Sequence, residues 1–584
     1  MPNLIKKIVL LCFVFAGSQL FAQNYTATWG DDTKMRKSTV DMDLIHADNS
    51  GVYFLEGEMR VKSYFVIGAT LKTAYKLVKF DKNFTKLYEK DYGKDLKDVS
   101  FNSMQPLKNT LYVFASHYDK RENYFHLYGS AIDGSTGELT GQLKELGSWY
   151  LESDRDDVDF IVKPTPDSTR WMVITSVKAH DNATNLLDVT VFDDKLNKKL
   201  GCNIKIKDDP ATYSLEDIVP TVDGKFLILA KKFEMVPTKR KKQIPVFKKY
   251  LLAKYNTKGV KEADFDFDTQ GTFTIGGKII SLPNGQILLA GFYSNASDKK
   301  LLNGIYINKI DVASGKMVQS SMKEISKDMI SNIPDEPLED DDDDDKAKNK
   351  KSKKDDDEDD PVFNNSYKIR SVDYSPATND IWITAESYQF KHTYYTTFDY
   401  DPVTHMSRSR SVSTYTFTNS DLMVISTSTD GQIHNVFNIP KKQVEQIRTS
   451  SSGPGMGISF SYDYGGMFAS GGSYPYYSSV VTAMNNNKLI VFFNDKTDNA
   501  NVKDYTSIKQ VKAINNSFKN TALYAVSLDL ANGAITRKQV ITNDDKVICM
   551  PRFAFVAGNN VYLPASHIKA LARTDMRMGK IAIQ

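Results

Sequence analysis

One short pattern returns along the whole chain: an apolar run of alternating residues, a tight polar turn, then a second alternating run. It reads YKLVKFDKNFTKLYEKDYG at Tyr75–Gly93, HLYGSAIDGSTGELTGQLKEL at His126–Leu146 and LDVTVFDDKLNKKLGCNIKI at Leu187–Ile206. Further copies are YLLAKYNTKGVKEADFDF, GIYINKIDVASGKMVQSSM and ALYAVSLDLANGAITRKQV. A period of roughly 50–60 residues means a stacked or circular repeat architecture. Each hairpin follows another strand of the same type: GVYFLEG at Gly51, TLYVFASHY at Thr110, RWMVITSV at Arg170, KFLILAKKF at Lys225 and QILLAGFY at Gln286. Later copies are DIWITAESY at Asp380, KLIVFFND at Lys488 and NVYLPASH at Asn560. Polar turns such as Asp223-Gly224 and Pro283-Asn284-Gly285 precede most of them and close hairpins at little steric cost. Four strands per unit, repeated this often, predict an all-β propeller. Counting second strands gives eight blades, or seven if the sixth or eighth unit is divided differently.

The sixth unit is stretched. Ile369–Tyr388 supplies its first two strands and Ser420–Ile439 its outer hairpin, with a hairpin-like insertion, His392–Phe417, between them. The last unit runs out after about three strands, whereas the segment Tyr25–Gly30 near the start belongs to no hairpin. Pairing the two would complete the last blade and remove an exposed edge.

Residues 1–22 have the layout of a secretory signal peptide: Lys6 and Lys7, the apolar run Ile8–Ala16, and a small residue, Ala22, before the expected cut. Cys12 lies inside the apolar run, which argues against lipidation there. No later run has the length of a membrane span, so residues 23–584 are expected to form one exported propeller in the periplasm or at the cell surface, not embedded in a membrane. Net charge is +3 over 584 residues, and loss of Lys6 and Lys7 leaves +1. That balance gives no field that draws nucleic acid to the whole surface. Cys202 and Cys549 remain after processing, too few for a disulfide framework, and two free thiols are favoured.

Two stretches depart from the repeat. Asp335–Pro361 contains EDDDDDDKAKNKKSKKDDDEDDP, which has almost nothing apolar to bury and reads as a disordered insertion between the fifth and sixth units. Ser450–Ser473 is a Gly/Ser-rich loop that carries Phe460, Tyr462, Tyr464 and Phe468.

Most apparent sites have a plain explanation. The acidic tract lacks the ligand spacing of a calcium loop. Asp-x-x-x-Gly recurs at Asp133–Gly137, Asp311–Gly315 and Asp529–Gly533 because a hairpin turn needs those residues. The cluster Lys239–Lys242, continued by Lys248 and Lys249, reads as a solvated hairpin tip. No His-x-x-x-His or Cys-x-x-Cys pair, nucleotide-binding P-loop or Gly-x-Ser-x-Gly elbow is present, so no metal or other cofactor is expected.

The hairpin INKIDVASGK at Ile307–Lys316 and, more loosely, VISTSTDGQI at Val424–Ile433 resemble the I-x-K-[IL]-D-x-x-G blades of uncharacterised exported propellers of Gram-negative bacteria. That resemblance implies the propeller fold and assigns no functional residue. Propellers serve both binding and catalysis. The leading expectation is a non-catalytic binding or scaffold protein that holds a protein or glycan partner. Its contact residues would be Tyr394, Tyr395, Tyr462, Tyr464 and Phe468. The alternative is a glycan-active hydrolase or lyase, with Asp159, Asp217 and Asp373 on first strands gathered around the channel.

Overall fold

The computed structural model describes residues 24–34, 39–64, 68–153, 156–178, 185–206, 212–221, 223–237, 243–265, 272–282, 285–295, 301–325, 330–331, 363–364, 367–401, 406–452, 475–485, 487–500, 521–529, 533–541, 547–568 and 574–584. The expected signal peptide, the charged tract Asp335–Pro361, the basic tip Lys239–Lys242 and most of the Ser450–Ser473 loop lie outside them.

Among the described residues eight sheets of four or more strands follow one another along the chain, each one blade; their strands pair antiparallel except for Ile330–Ser331, which runs parallel to Val436–Phe437 at the margin of the sixth. Their second strands start at Gly51, Thr110, Arg170, Phe226, Gln286, Asp380, Lys488 and Asn560. The first strands of successive blades approach one another and line the centre, as with Asp157–Pro164 beside Tyr213–Pro220. The chain is an eight-bladed β-propeller.

Burial explains why the strands of a blade read so differently in sequence. A second strand has a neighbouring blade on each face. Lys488–Lys496 is accordingly buried at every position from Leu489 to Asp495, and its sequence is a nearly continuous apolar run. A fourth strand such as Lys316–Glu324 alternates between exposed and half-buried positions, which matches the two-residue side-chain period of a strand with one solvated face. The apolar side chains collect into eight clusters, one at each junction between blades. Trp171 packs edge-on to Tyr112 and Phe114 between the second and third blades. Leu288, Ile307, Ile383 and Met423 fill the junction of the fifth and sixth.

The ring closes as the sequence suggested. Tyr25–Trp29 pairs antiparallel with Thr574–Ile583, from Tyr25↔Ile583 to Trp29↔Gly579, and forms the outer strand of the eighth blade. Tyr25 meets Phe492 of the seventh blade edge-on at 5.8 Å. The Trp29 ring lies over Gly579, where a Cβ would come within 2.3 Å of it. Two further exchanges, between Thr33 and Met576 at 2.7 and 2.9 Å, extend the seam. The innermost position of this blade is split into Val547–Cys549 and Phe555–Ala557 by a turn at Pro551–Phe553.

The repeated Asp-x-x-x-Gly segments are turns. In each, the Gly N–H reaches back to the Asp carbonyl at 2.8–3.0 Å, and Gly137, Gly315 and Gly533 all have φ between +66° and +77°. Cys202, half-buried in the third blade, and Cys549, buried in the eighth, are both free thiols.

Closure by one short strand gives a direct test. Deleting residues 24–30, or replacing Gly579 with Leu, should destabilise the protein by about 3 kcal/mol or more, since Tyr25, Ala27 and Trp29 lose their packing. Thermal unfolding of the two variants against wild type measures it.

Candidate binding site

The three first-strand aspartates are in the channel wall, and two of them, Asp217 and Asp373, bridge different junctions between blades. Asp159, opposite Ser176, is half-buried in the third blade. Asp217 of the fourth blade forms an ion pair with Lys163 of the third and accepts a hydrogen bond from the Ile218 N–H at 2.7 Å. Asp373 of the sixth accepts from the Thr482 hydroxyl of the seventh at 3.3 Å. Burial pushes the Asp373 carboxyl above its ordinary range, opposed by Ser371, Thr482 and Lys278. These contacts tie inner strands of adjacent blades together. No group of three His, Cys, Asp or Glu side chains suited to holding a metal occurs among the described residues.

The larger departure from the repeat is in the sixth blade. Its second and third strands, Asp380–Asp401 and Met406–Ser428, are 22 and 23 residues long. The stretch His392–Phe417, expected as an insertion between strands, is a continuation of those strands. Runs of Thr, Tyr, Ser and Phe at its two ends, TYYTTF and STYTF, favour extended backbone over a loop. Pairing runs from Tyr388↔Asn419 to Asp401↔Met406, a ribbon of roughly 45 Å at strand rise. A further strand, Gln443–Ser452, returns along the third strand from Asn419↔Gln443 to Arg410↔Ser452.

A buried polar cluster holds the root of this extension. The register shifts between Glu386 and Tyr388, and such a bulge re-aims side chains. Lys441 is fully buried. Its ammonium donates to Glu386 Oε1 at 2.6 Å, Gln443 Oε1 at 2.9 Å and the Asn419 carbonyl at 3.2 Å, which uses all three protons. Arg370 donates to the other Glu386 oxygen at 2.6 Å and to Asn419 Oδ1 at 3.1 Å. Burial alone would raise the Glu386 carboxyl, but Lys441 and Arg370 bring it below its ordinary value.

Glu445, on the returning strand, accepts from the Tyr476, Tyr477 and Ser478 N–H groups at 2.7–3.0 Å and from the Ser478 hydroxyl at 3.0 Å. Gln443 donates to the Asn494 carbonyl of the seventh blade at 2.6 Å, and the Tyr477 hydroxyl lies 2.6 Å from the Ser566 hydroxyl of the eighth. Phe417 and Ile447 join the apolar cluster between the eighth and first blades. The extension is therefore anchored across four blades.

Past this root the ribbon is exposed. Phe390, Tyr394 and Tyr395 are 51%, 63% and 41% accessible. His392 stacks on Tyr415 with ring centroids 4.4 Å apart and planes within 2°, Phe390 packs against Phe417, and the Tyr394 hydroxyl donates to Ser411 Oγ at 2.9 Å. The result is an aromatic strip edged with hydroxyl groups. Tyr462, Tyr464 and Phe468 lie outside the described residues. Sequence reading missed the root: Glu386 in TAESYQF and the extra strand KKQVEQIR were its visible signals, a charge where a blade is apolar and a strand with no place in the four-strand count.

No protein-family model matches the chain, and no curated protein matches it. Solved structures similar to it include a protein of unknown function from Bacteroides caccae, with 10% identity over 62% of this chain and 89% of that one and a TM-score of 0.27. Another is the β-propeller domain of the Trilobed protease from Pyrococcus furiosus, with 9% identity over 68% and 92% and a TM-score of 0.29. A third is cobalt-substituted Synechocystis ACO, with 10% identity over 70% and 88% and a TM-score of 0.27. The fold assignment rests on the eight sheets and their closed ring, and the site's chemistry on its own residues.

Two variants probe the root. Lys441→Met leaves Glu386 buried with one cation fewer and should cost about 3–5 kcal/mol; limited proteolysis should then nick the extension faster than the ring. The second variant concerns Asp421, which accepts from the Lys441 N–H at 3.1 Å and whose carboxyl burial pushes up to about 7. An acid with a raised folded pKa holds its proton longer when folded, so its contribution weakens stability as pH rises from about 4 to about 7. Asp421→Asn should remove that slope, roughly 1.4 kcal/mol per pH unit at most, and be the more stable form at pH 7 and above. Urea melts of both proteins between pH 4 and pH 8 measure the difference.

Proposed function

We propose that this protein is an exported, non-catalytic binding or scaffold protein that uses the sixth-blade extension to hold a protein or glycan partner. The observation that carries this reading is the aromatic strip of Phe390, His392, Tyr394 and Tyr415 on a ribbon fixed at its base. Solvated aromatic faces beside hydroxyl groups suit both contacts: rings stack on apolar sugar faces or peptide side chains, and hydroxyls orient the ligand. A rigid mount means that little ordering is left to be done on binding. Export is proposed from the basic and apolar segment that precedes Gln23.

Glycan cleavage needs two carboxyl groups held at a defined separation. Asp217 is engaged by Lys163 and Asp373 by Thr482, which favours binding over cleavage.

The triple variant Phe390→Ser, Tyr394→Ser, Tyr395→Ser should keep the melting temperature of the ring. It should lose at least about tenfold in affinity for any partner found on a glycan array or by crosslinking at the cell envelope. Unchanged binding by the triple variant sinks the reading, as does a full-length chain that stays in the cytoplasm with residues 1–22 uncleaved.

A further inference from the structure

Two histidines of the second blade face each other across one sheet. His117 is on the second strand, Thr110–Asp119, and His126 on the third, Tyr124–Ile132, and the two are direct partners in the antiparallel pairing. Opposite residues of such a pair carry their side chains on one face, with Cβ atoms about 4.5–5.5 Å apart. The imidazole rings are accordingly side by side, with centroids 6.4 Å apart and planes within 26°. The sequence holds no His-x-x-x-His pair, but the sheet brings together two histidines whose spacing matches no such motif.

The surroundings of His126 fix its ring. A register shift between Leu127 and Tyr128 displaces the fourth strand, Lys144–Tyr150, and Glu145 Oε2 comes 3.3 Å from His126 Nδ1. A carboxylate at that nitrogen holds the proton on Nδ1 and leaves Nε2 with the lone pair, the arrangement that orients metal-bound histidines. Tyr124 and Tyr128 flank the His126 ring, each with its centroid 6.0 Å away, so the ring's orientation is set before any ligand arrives. His117 is exposed. A metal held by two imidazoles at ~2.0–2.1 Å brings their centroids to about 5 Å. The observed gap exceeds that by about 1 Å, which rotation of the exposed His117 closes. Imidazole nitrogen suits zinc, nickel and copper, whereas hard cations such as calcium prefer oxygen. Two protein ligands leave the remaining positions to water.

We propose that His117 and His126 bind one divalent cation of the zinc, nickel or copper class on the surface of the second blade, with Glu145 as the residue that positions His126. The site is separate from the sixth-blade extension, so it stands or falls independently of the binding role.

Equilibrium dialysis and calorimetry of the tag-free mature chain with Zn²⁺ and with Ni²⁺ test it. Wild type should bind an ion at a site that His117→Ala and His126→Ala each weaken about tenfold or more. Glu145→Ala should weaken the same site about tenfold, and Glu145→Gln, whose amide oxygen still accepts from Nδ1–H, should recover most of that loss. Without metal all four variants should melt close to wild type, which reports that the blade is intact. Metal uptake that persists unchanged in His117→Ala and His126→Ala lies elsewhere, in the acidic tract for example, and overturns the site. So does a wild-type chain that takes up neither ion. Unchanged affinity in Glu145→Ala, or a loss that Glu145→Gln does not recover, overturns the positioning role.

Discussion

A blade in this protein is apolar on both faces, and that constraint governs the rest of the structure. The second strand Leu489–Asp495 is buried throughout because the sixth blade covers one side of its sheet and the eighth the other. A blade with only one neighbour would leave half of such a strand in water. Eight blades in an open row would leave two of those faces bare, and closure removes both. It depends on five residues, Tyr25–Trp29, that come from the opposite end of the chain. Long-range pairing of this kind carries a loop-closure cost that is recovered only once the contacts form. The last blade is thus completed by contacts between residues more than 500 positions apart, whereas the other blades are built locally.

The sixth blade solves a different problem. Its ribbon leaves the ring and loses the second face that keeps other blades dry. A long two-stranded hairpin is marginal by itself in water. Two things compensate. The strand Gln443–Ser452 adds a third member along most of the ribbon's length, from Asn419 to Arg410. The root is then fixed by groups that tolerate few alternative arrangements: a buried ammonium with three acceptors, a guanidinium on Glu386, and a carboxylate, Glu445, that collects three backbone N–H groups. Replacing a buried ion pair with apolar groups is often neutral for stability. Such a cluster does constrain direction and register, because a slipped strand would leave Lys441 or Glu386 without a partner.

Much of the ring was legible in the sequence because it repeats. Second strands announce themselves as apolar runs, fourth strands as alternating ones, and the turns by Gly at positive φ. The orphan strand at Tyr25 and the short last unit together pointed to the closure. The extension was harder to read. His392–Phe417 was recognised as an insertion, yet whether its alternating Thr, Tyr and Ser form strands depends on Gln443–Ser452 lying alongside, and that pairing is not local. Apart from Glu386 and the spare strand at Gln443, the root was hidden for the same reason. Arg370, Lys441 and Ser479, whose hydroxyl donates to Glu386 Oε2 at 3.0 Å, come from three separate segments, and each one alone looks like an ordinary surface residue. For Asp217 and Asp373 the sequence placed the residues on inner strands but could not show that Lys163 and Thr482 of neighbouring blades would engage them.

The extension and the closure meet at one place. Phe417 and Ile447, from the base of the ribbon, are buried in the same cluster as Met42 and Phe54 of the first blade and Met576 and Met578 of the eighth. That cluster is the junction that exists only when the ring is shut. Tyr476, whose N–H is held by Glu445, packs 6.0 Å from Phe553 in the turn that interrupts the eighth blade's inner strand. A chain with an open seam would lack the surface on which the ribbon's base rests. Since packed junctions respond as units and deform little, the ribbon should be well directed only in molecules whose ring is closed. Orientation of the exposed aromatic strip is in this way coupled to the pairing of Tyr25–Trp29, although the two lie on different blades.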